Sequence, residues 1–89
     1  MKQLGYSSQF KKDYKRVSKS GSDLGPFNEI INALISETPL LKNVKDHKLL
    51  GQYKDRRELH LKSDLLLIYK TSNDIIILER MGSHSELFR

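Results

Sequence analysis

The chain has 89 residues, of which 37% are hydrophobic and 8% aromatic, and it contains neither cysteine nor tryptophan. This length fits one small domain, 1–89, and the lack of cysteine excludes a disulfide framework, a zinc ribbon and a thiol nucleophile. No apolar run approaches the roughly 20 residues of a membrane span, and Met1-Lys2-Gln3 lacks a secretory signal's apolar core. We therefore expect a soluble cytoplasmic protein.

Positive charge is unevenly distributed. Sixteen Lys and Arg against eleven Asp and Glu give a net charge of +5 and a pI of about 9.6. Residues 1–20 carry six basic residues and one acidic, residues 21–41 carry three acidic and none basic, and residues 42–62 carry seven basic and three acidic. This pattern indicates a polyanionic partner or an acidic protein segment, although a solvated lysine-rich surface gives the same composition.

The N-terminal half predicts a short strand and two helices. Leu4–Ser7 is typical of a strand, and Ser7 or Ser8 can cap a helix that ends near Ser20-Gly21. Asp23 can cap a second helix, which Thr38-Pro39 stops because proline lacks the backbone donor. Each helix has one apolar stripe at helical spacing, made by Phe10, Tyr14 and Val17 in the first and by Phe27, Ile30, Ile31 and Leu34 in the second.

The C-terminal half predicts three strands. Residues 40–54 are expected to be irregular, after which Arg57–Lys62 alternates as a half-buried strand and Leu65–Tyr69 and Ile75–Met81 are nearly continuous apolar runs. The fold class is therefore α+β, in the order β-α-α-β-β-β. The two N-terminal helices pack on one face of a small twisted, mainly antiparallel sheet.

Tight turns at 62–63 and 72–73 fix a strand register. They place His60 opposite Leu65, and Leu65 opposite Arg80, with all three side chains on one face of the sheet. A slip of one residue would break this arrangement. The opposite face, on which the helices would pack, would then carry Leu59, Leu61, Leu66, Ile68 and Ile77.

Arg80 ends a strongly apolar strand, where a guanidinium needs a partner. One interpretation is a salt bridge to Asp64 or Glu58. The other is a phosphate clamp, since the planar guanidinium matches phosphate oxygens.

The three histidines are His47, in a basic loop, His60, on the Arg80 face, and His84, which follows Gly82-Ser83 and can fold back over that face. Singly, each is more often a surface or structural residue than a catalyst. No paired ligand spacing on one element supports a metal site, so we expect neither metal nor cofactor.

Several segments together resemble the YafQ-like branch of the RelE/ParE toxin superfamily. They are Lys45–Leu49, Arg57–His60, Asp64–Tyr69, and Glu79–His84 followed by Leu87-Phe88. The resemblance implies a RelE-like fold and the toxin of a bacterial type II toxin–antitoxin system, an endoribonuclease that cuts mRNA in the ribosomal A site. It implies a cognate antitoxin as partner, with operator DNA bound only through that antitoxin.

Carried over by position, the family's functional residues fall on a set of six: His47, His60, Asp64, Arg80, His84 and Phe88. Leu65 stands where this branch often has Trp, which removes a ring that could stack on RNA. We count Lys45, Leu65 and Phe88 among the candidate substrate contacts, although Phe88 could equally anchor the chain on the sheet. The basic helix adds an electrostatic footprint, formed by Lys11, Lys12, Lys15 and Arg16.

These residues predict metal-independent cleavage, in which the 2′-OH of the RNA attacks the adjacent phosphate. Asp64 or His60 would be the base, His84 the acid and Arg80 the phosphate clamp. His47 would hold the phosphate, and Glu58 would orient a histidine or substitute as base. The competing interpretations are a ParE-like gyrase inhibitor that acts by protein contact, and a plain RNA-binding module.

Overall fold

A computed structural model describes residues 2–21, 23–37, 47–48 (backbone), 56–62, 64–72 and 74–88. The chain forms a five-stranded sheet in the order β1-β5-β4-β3-β2, with β1 parallel to β5 and the other pairs antiparallel. The described elements are β1 (Gln3–Tyr6), α1 (Ser8–Lys19), α2 (Gly25–Ser36), β2 (His47–Lys48), β3 (Arg57–Lys62), β4 (Leu65–Thr71), β5 (Ile75–Gly82) and α3 (His84–Leu87). No helix in these ranges is long and apolar enough to cross a membrane.

The predicted α+β architecture is confirmed, with three local differences. β2 lies inside the segment 40–54 that the sequence predicted to be irregular, and α3 was not predicted. The N-cap of α2 is Leu24 rather than Asp23, although the Asp23 carboxylate accepts the Gly25 N–H at 2.9 Å. Thr38-Pro39, the predicted stop of α2, lies outside the described residues.

Ser7 caps α1 and also ties it to the sheet. Its Oγ accepts the Phe10 N–H at 2.9 Å and donates to the Glu79 carbonyl at 2.7 Å. Because Ser7 directly follows β1, this pair of hydrogen bonds fixes where α1 begins relative to β5.

The two faces of the sheet are covered differently. On the helical side, Phe10 and Val17 of α1 and Phe27, Ile30 and Ile31 of α2 pack with residues from the sheet into the main core. A second, smaller cluster consists of Leu66, Ile68 and Leu87. Because Leu66 and Ile68 alternate with Leu65, Leu67 and Tyr69 of the main core, this cluster lies on the face away from α1 and α2.

The predicted strand register is wrong in both hairpins. His60 pairs with Leu66 rather than Leu65, and Arg80 pairs with Ile68 rather than Leu65. The cause is two irregularities that tight-turn counting does not include: a shift between His60 and Lys62, and a bulge that leaves Glu79 without a partner across β4.

The difference between the predicted and the observed register changes which face of the sheet some side chains occupy. Leu59 and Leu61 join the helical-side core as predicted, but Leu65 does so as well. Leu66 and Ile68 lie on the opposite face, as does Ile77, which alternates between the core residues Ile76 and Leu78. In the observed register, Glu58, Ile68 and Arg80 stand abreast on three strands, and so do His60, Leu66 and Gly82.

Candidate active site

The helix-free face of the sheet carries a small polar cluster beside an apolar patch. Glu58 and His60 lie on β3 opposite Ile68 and Leu66, so their side chains share the face of those two residues. Leu87, only 3% exposed, packs against the same two residues and holds α3 on this face. His84, at the start of α3, is thereby placed beside β3.

The turn before α3 is fixed by a capping box. The Ser83 N–H donates to Glu86 Oε1 at 2.8 Å, and Ser83 Oγ accepts the Glu86 N–H at 3.3 Å. The Ser83 N–H, helped by Arg16, holds the pKa of Glu86 below its ordinary value. Gly82 permits the close approach, because a Cβ there would lie 2.9 Å from both Arg16 Nη2 and Glu86 Oε1.

Two imidazoles converge on one buried carboxylate. The Glu58 side chain is 5% exposed, and its Oε1 lies 3.5 Å from His60 Nε2 and 4.0 Å from His84 Nε2. The two rings meet edge to face with centroids 5.8 Å apart. The expectation that His84 folds back over the face of His60 is confirmed.

Asp64 orients His84. Its Oδ1 accepts the His84 backbone N–H at 3.2 Å and lies 3.4 Å from the ring Nδ1. When Nδ1 carries the hydrogen, Nε2 faces the Glu58 side, where a substrate proton can be exchanged. The His84 side chain is 56% exposed and therefore accessible to a substrate.

Phe88 continues this surface beside His84. Its ring lies 6.0 Å from the His84 ring, and the residue is 37% exposed. The buried anchor at this position is Leu87. The Phe88 ring is therefore accessible to a substrate beside the imidazole of His84.

Arg80 has a partner that the sequence did not indicate. Its Nε donates to Asp13 Oδ2 at 2.8 Å, so the carboxylate at this guanidinium belongs to α1 rather than to Asp64 or Glu58. Asp13 is completely buried. Burial alone would raise its pKa, but hydrogen bonds led by those from Arg80 and the Met81 N–H outweigh it and hold the pKa below the ordinary value.

The remaining predicted site residues lie apart from the cluster or outside the described side chains. The backbone of His47 pairs with Glu58 in β2, whereas its side chain and Lys45 lie outside the description. Leu65 packs in the helical-side core, which contradicts its placement on the His60 face. The basic residues of α1 are exposed along that helix and include Lys11, Lys12, Lys15 and Arg16.

An open sheet with two N-terminal helices on one face is the RelE-like toxin fold, which this chain shares with solved YafQ structures. A family model described as "Bacterial toxin of type II toxin-antitoxin system, YafQ" matches residues 2–89. The chain belongs to this YafQ family.

Individual relatives agree with this assignment. The chain is 37% identical to the mRNA interferase toxin YafQ of Escherichia coli K12 over 86 residues, which cover 96% of this chain and 94% of that protein. It is similar to a chain of the E. coli DinJ-YafQ complex, with a TM-score of 0.93, 36% identity and full coverage of both chains. It is equally similar to a copper-bound mutant toxin from Helicobacter pylori, with a TM-score of 0.93, 41% identity and coverage of 99% and 100%.

Proposed function

We propose that this chain is the toxin of a type II toxin–antitoxin pair and acts in the cytoplasm as an endoribonuclease that cleaves mRNA in the ribosomal A site. The observation that carries the proposal is the convergence of His60 and His84 on the buried Glu58, with Asp64 holding His84. Paired imidazoles with carboxylate partners suit proton transfer near neutral pH.

The reaction is an internal transesterification. The 2′-oxygen forms a bond to phosphorus and the bond from phosphorus to the 5′-oxygen breaks, which leaves a 2′,3′-cyclic phosphate and a 5′-hydroxyl. A base accepts the 2′-OH proton and an acid donates one to the departing 5′-oxygen. Each proton-transfer group is typically worth about 10²–10⁴ in rate.

The contacts favour a division of these roles. His84 is the acid, since Asp64 binds Nδ1 and leaves Nε2 for the leaving oxygen. His60 is the base, since the carboxylate of the buried Glu58 lies 3.5 Å from its Nε2 and holds the imidazole in place on this face. Asp64 thus serves His84, and Glu58 orients both rings.

Arg80 supplies the cation for the phosphate. It stands level with Glu58, two strands away, which is about 10 Å between backbones at ordinary strand spacing. Its Nε is tied to Asp13 of α1, so the phosphate would lie between Arg80 and the imidazoles rather than against Glu58. Charge stabilisation of this kind contributes on the order of 3–4 kcal/mol to a transition state. His47, from β2 beside Glu58, holds the same phosphate, and Phe88 stacks on a neighbouring base.

The exposed lysines of α1 and Lys45 bind the RNA backbone by charge and not by sequence, since phosphate contacts carry no base information. They serve to hold ribosome-associated RNA near the cleavage site.

The cognate antitoxin has a matching surface on the other side of the molecule. A groove of about 420 Å³ between β1, α1 and α2 is lined mainly by apolar and aromatic side chains, including Leu4, Tyr6, Phe10, Tyr14 and Phe27, with Lys11 at its rim. Tyr6 is 49% exposed, and none of the described lining residues is acidic. The occupant that fits this groove is an apolar antitoxin segment with acidic flanks. Operator DNA is then bound by the antitoxin and not by this chain.

Tyr6→Ser tests the groove. The variant is expected to bind the antitoxin at least about fivefold more weakly by calorimetry, because an aromatic anchor at an interface is worth more than about 1 kcal/mol. It should cleave RNA at the wild-type rate. Unchanged antitoxin affinity would place the antitoxin elsewhere.

The decisive experiment for cleavage maps the 5′ ends of cellular mRNA after brief induction, with His84→Ala as the matched inactive variant. In-frame cuts that vanish in the variant support A-site cleavage. Intact mRNA together with inhibited DNA supercoiling would instead identify a ParE-like gyrase inhibitor. Intact RNA bound with strong salt dependence would identify a plain binding module.

A second candidate property is transition-metal binding at the same cluster. One ligand atom each from Glu58, His60 and His84 lie within 4.8 Å of one another, and two of the separations are 3.5 and 4.0 Å. The edge of a tetrahedral site with bonds near 2.1 Å is about 3.4 Å, so these residues fit a nitrogen–oxygen site. A bound metal supplies Lewis acidity. The chain's own nitrogens would then lose the lone pairs needed for proton transfer, so the occupied state is an inhibited one.

A further inference from the structure

Asp13 is a buried carboxylate that the cleavage mechanism does not yet use. It lies in α1 between the core residues Phe10 and Val17 and is completely inaccessible to solvent. A buried ionised carboxylate is costly unless several donors compensate it. Asp13 is compensated, because Gln9, Arg16 and Arg80 all donate to it, as does the backbone of β5.

The contacts with Asp13 fix the orientation of the Arg80 guanidinium. Asp13 Oδ2 accepts from Arg80 Nε at 2.8 Å and Asp13 Oδ1 lies 3.5 Å from Nη2, so the carboxylate lies along one edge of the guanidinium. The same Oδ2 accepts the Met81 N–H at 3.1 Å. One carboxylate therefore fixes both the side chain of Arg80 and the backbone that follows it, while the Nη1 side of the guanidinium points away from Asp13.

The same carboxylate is linked to the turn that carries the proposed acid. Arg16 Nη1 donates to Asp13 at 3.0 Å, Arg16 Nη2 donates to the Met81 carbonyl at 3.0 Å, and Arg16 Nε lies 3.1 Å from Glu86 Oε2. Glu86 closes the capping box that begins α3. Asp13 is thus the point at which α1, the end of β5 and the His84 turn are joined.

From these contacts we infer that Asp13 is a positioning residue for RNA cleavage: it holds the guanidinium of Arg80 in the orientation that stabilises the phosphorane. The inference rests on the proposed function. It differs from a purely structural role, because it assigns the effect of Asp13 on catalysis to Arg80. A guanidinium that is free to rotate would still attract phosphate, but it would lose the preorganisation on which transition-state stabilisation depends.

The test is a double-mutant cycle with Asp13→Asn and Arg80→Ala, measured as single-turnover cleavage of ribosome-bound mRNA. Asp13→Asn should lower kcat by about tenfold or more with KM changed less than about threefold, since the lost interaction acts mainly in the transition state. In the Arg80→Ala background, Asp13→Asn should lower kcat by less than about twofold, since the guanidinium that Asp13 orients is absent. Asp23→Asn, at an exposed position where the carboxylate accepts the Gly25 N–H and contacts neither Arg80 nor the cluster, is the matched control and should leave kcat unchanged.

Thermal unfolding of each variant is measured in parallel, and Asp13→Glu guards against a variant that fails to fold. Asp13→Glu keeps the charge but displaces the carboxylate, so it should retain most of the melting temperature and still lose kcat. Wild-type kcat in Asp13→Asn or Asp13→Glu, or equal loss in the wild-type and Arg80→Ala backgrounds, would overturn the inference. If Arg80→Ala and His84→Ala themselves cleave normally, the proposed function fails instead, so the two failures are distinguishable.

Discussion

Replacing Leu87 by Ala is expected to reduce cleavage through a residue that touches no substrate. Leu87 is the buried member of α3, and its partners on the sheet are Leu66 and Ile68. The other ties of this turn include the Ser83–Glu86 capping box, the exposed hydrogen bond from the His84 N–H to Asp64, and the exposed ion pair between Arg16 and Glu86. An exposed ion pair is worth only about 0–1 kcal/mol, so the leucine provides most of the docking free energy.

The magnitude follows from the burial. A leucine in a fully packed core loses about 2–5 kcal/mol on truncation to alanine, and the small cluster around Leu87 places it near the lower end. A loss of about 2 kcal/mol corresponds to about 30-fold in the ratio of docked to undocked α3. Because His84 begins α3, single-turnover cleavage should fall by up to about that factor. The main core on the other face of the sheet should unfold at nearly the same urea concentration as in the wild type.

Leu87→Met is the matched control, because a volume-conserving change usually costs less than about 1.5 kcal/mol. It should retain nearly full activity. Hydrogen exchange of the α3 amides and urea unfolding separate local undocking from global unfolding. Full cleavage by Leu87→Ala, with unchanged exchange in α3, would refute the prediction that this contact holds His84, the proposed acid, in place.

Three further outcomes are expected. The free energy of unfolding should decline as pH falls below about 4, because folding lowers the pKa of Asp13 and of Glu86 and the resulting stabilisation is lost as each carboxylate is protonated. Calorimetric scans at successive pH values should show a smaller acid-induced loss of stability in Asp13→Asn than in the wild type. An equal loss in both would contradict this prediction. A chelator should leave cleavage intact while Cu²⁺ inhibits it, and Glu58→Gln should weaken Cu²⁺ binding by calorimetry; stimulation by Cu²⁺ would argue against metal-independent chemistry. Lys12→Ala should weaken RNA binding at all sequences and reduce the salt slope by about 0.7, whereas a change of cleavage site would show that Lys12 contributes to base selection.

The parts of the fold set by local pattern were predictable. The apolar spacing in α1 and α2 and the apolar runs of β4 and β5 gave the correct elements and layers, because those periodicities follow directly from helix and strand geometry. The capping box of Ser83 and Glu86 was also visible as a Ser-x-x-Glu spacing and could have indicated α3.

The register and the Arg80 partner were not predictable from such patterns. A bulge at Glu79 depends on how β5 meets both β1 and α1, and nothing in the local sequence marks it. Asp13 lies three residues after Phe10 and four before Val17, so helical spacing already indicates that it shares the apolar face of α1, but no local pattern indicates that Arg80 is its partner. His60, His84 and Asp64 were predicted from the family resemblance and Glu58 from its place on the His60 face, and the structure brings the four together.

The parallel pairing of β1 with β5 joins segments more than seventy residues apart, as the hydrogen bond from Ser7 to Glu79 across 72 positions illustrates. Closing so long a loop is slow relative to forming the β3–β4 and β4–β5 hairpins. β1 and α1 can therefore dock only after β5 has formed. We therefore expect the seating of α1 against β5, on which the proposed position of Arg80 depends, to come late in folding, so that a newly made chain gains its toxic activity only after most of the sheet has formed.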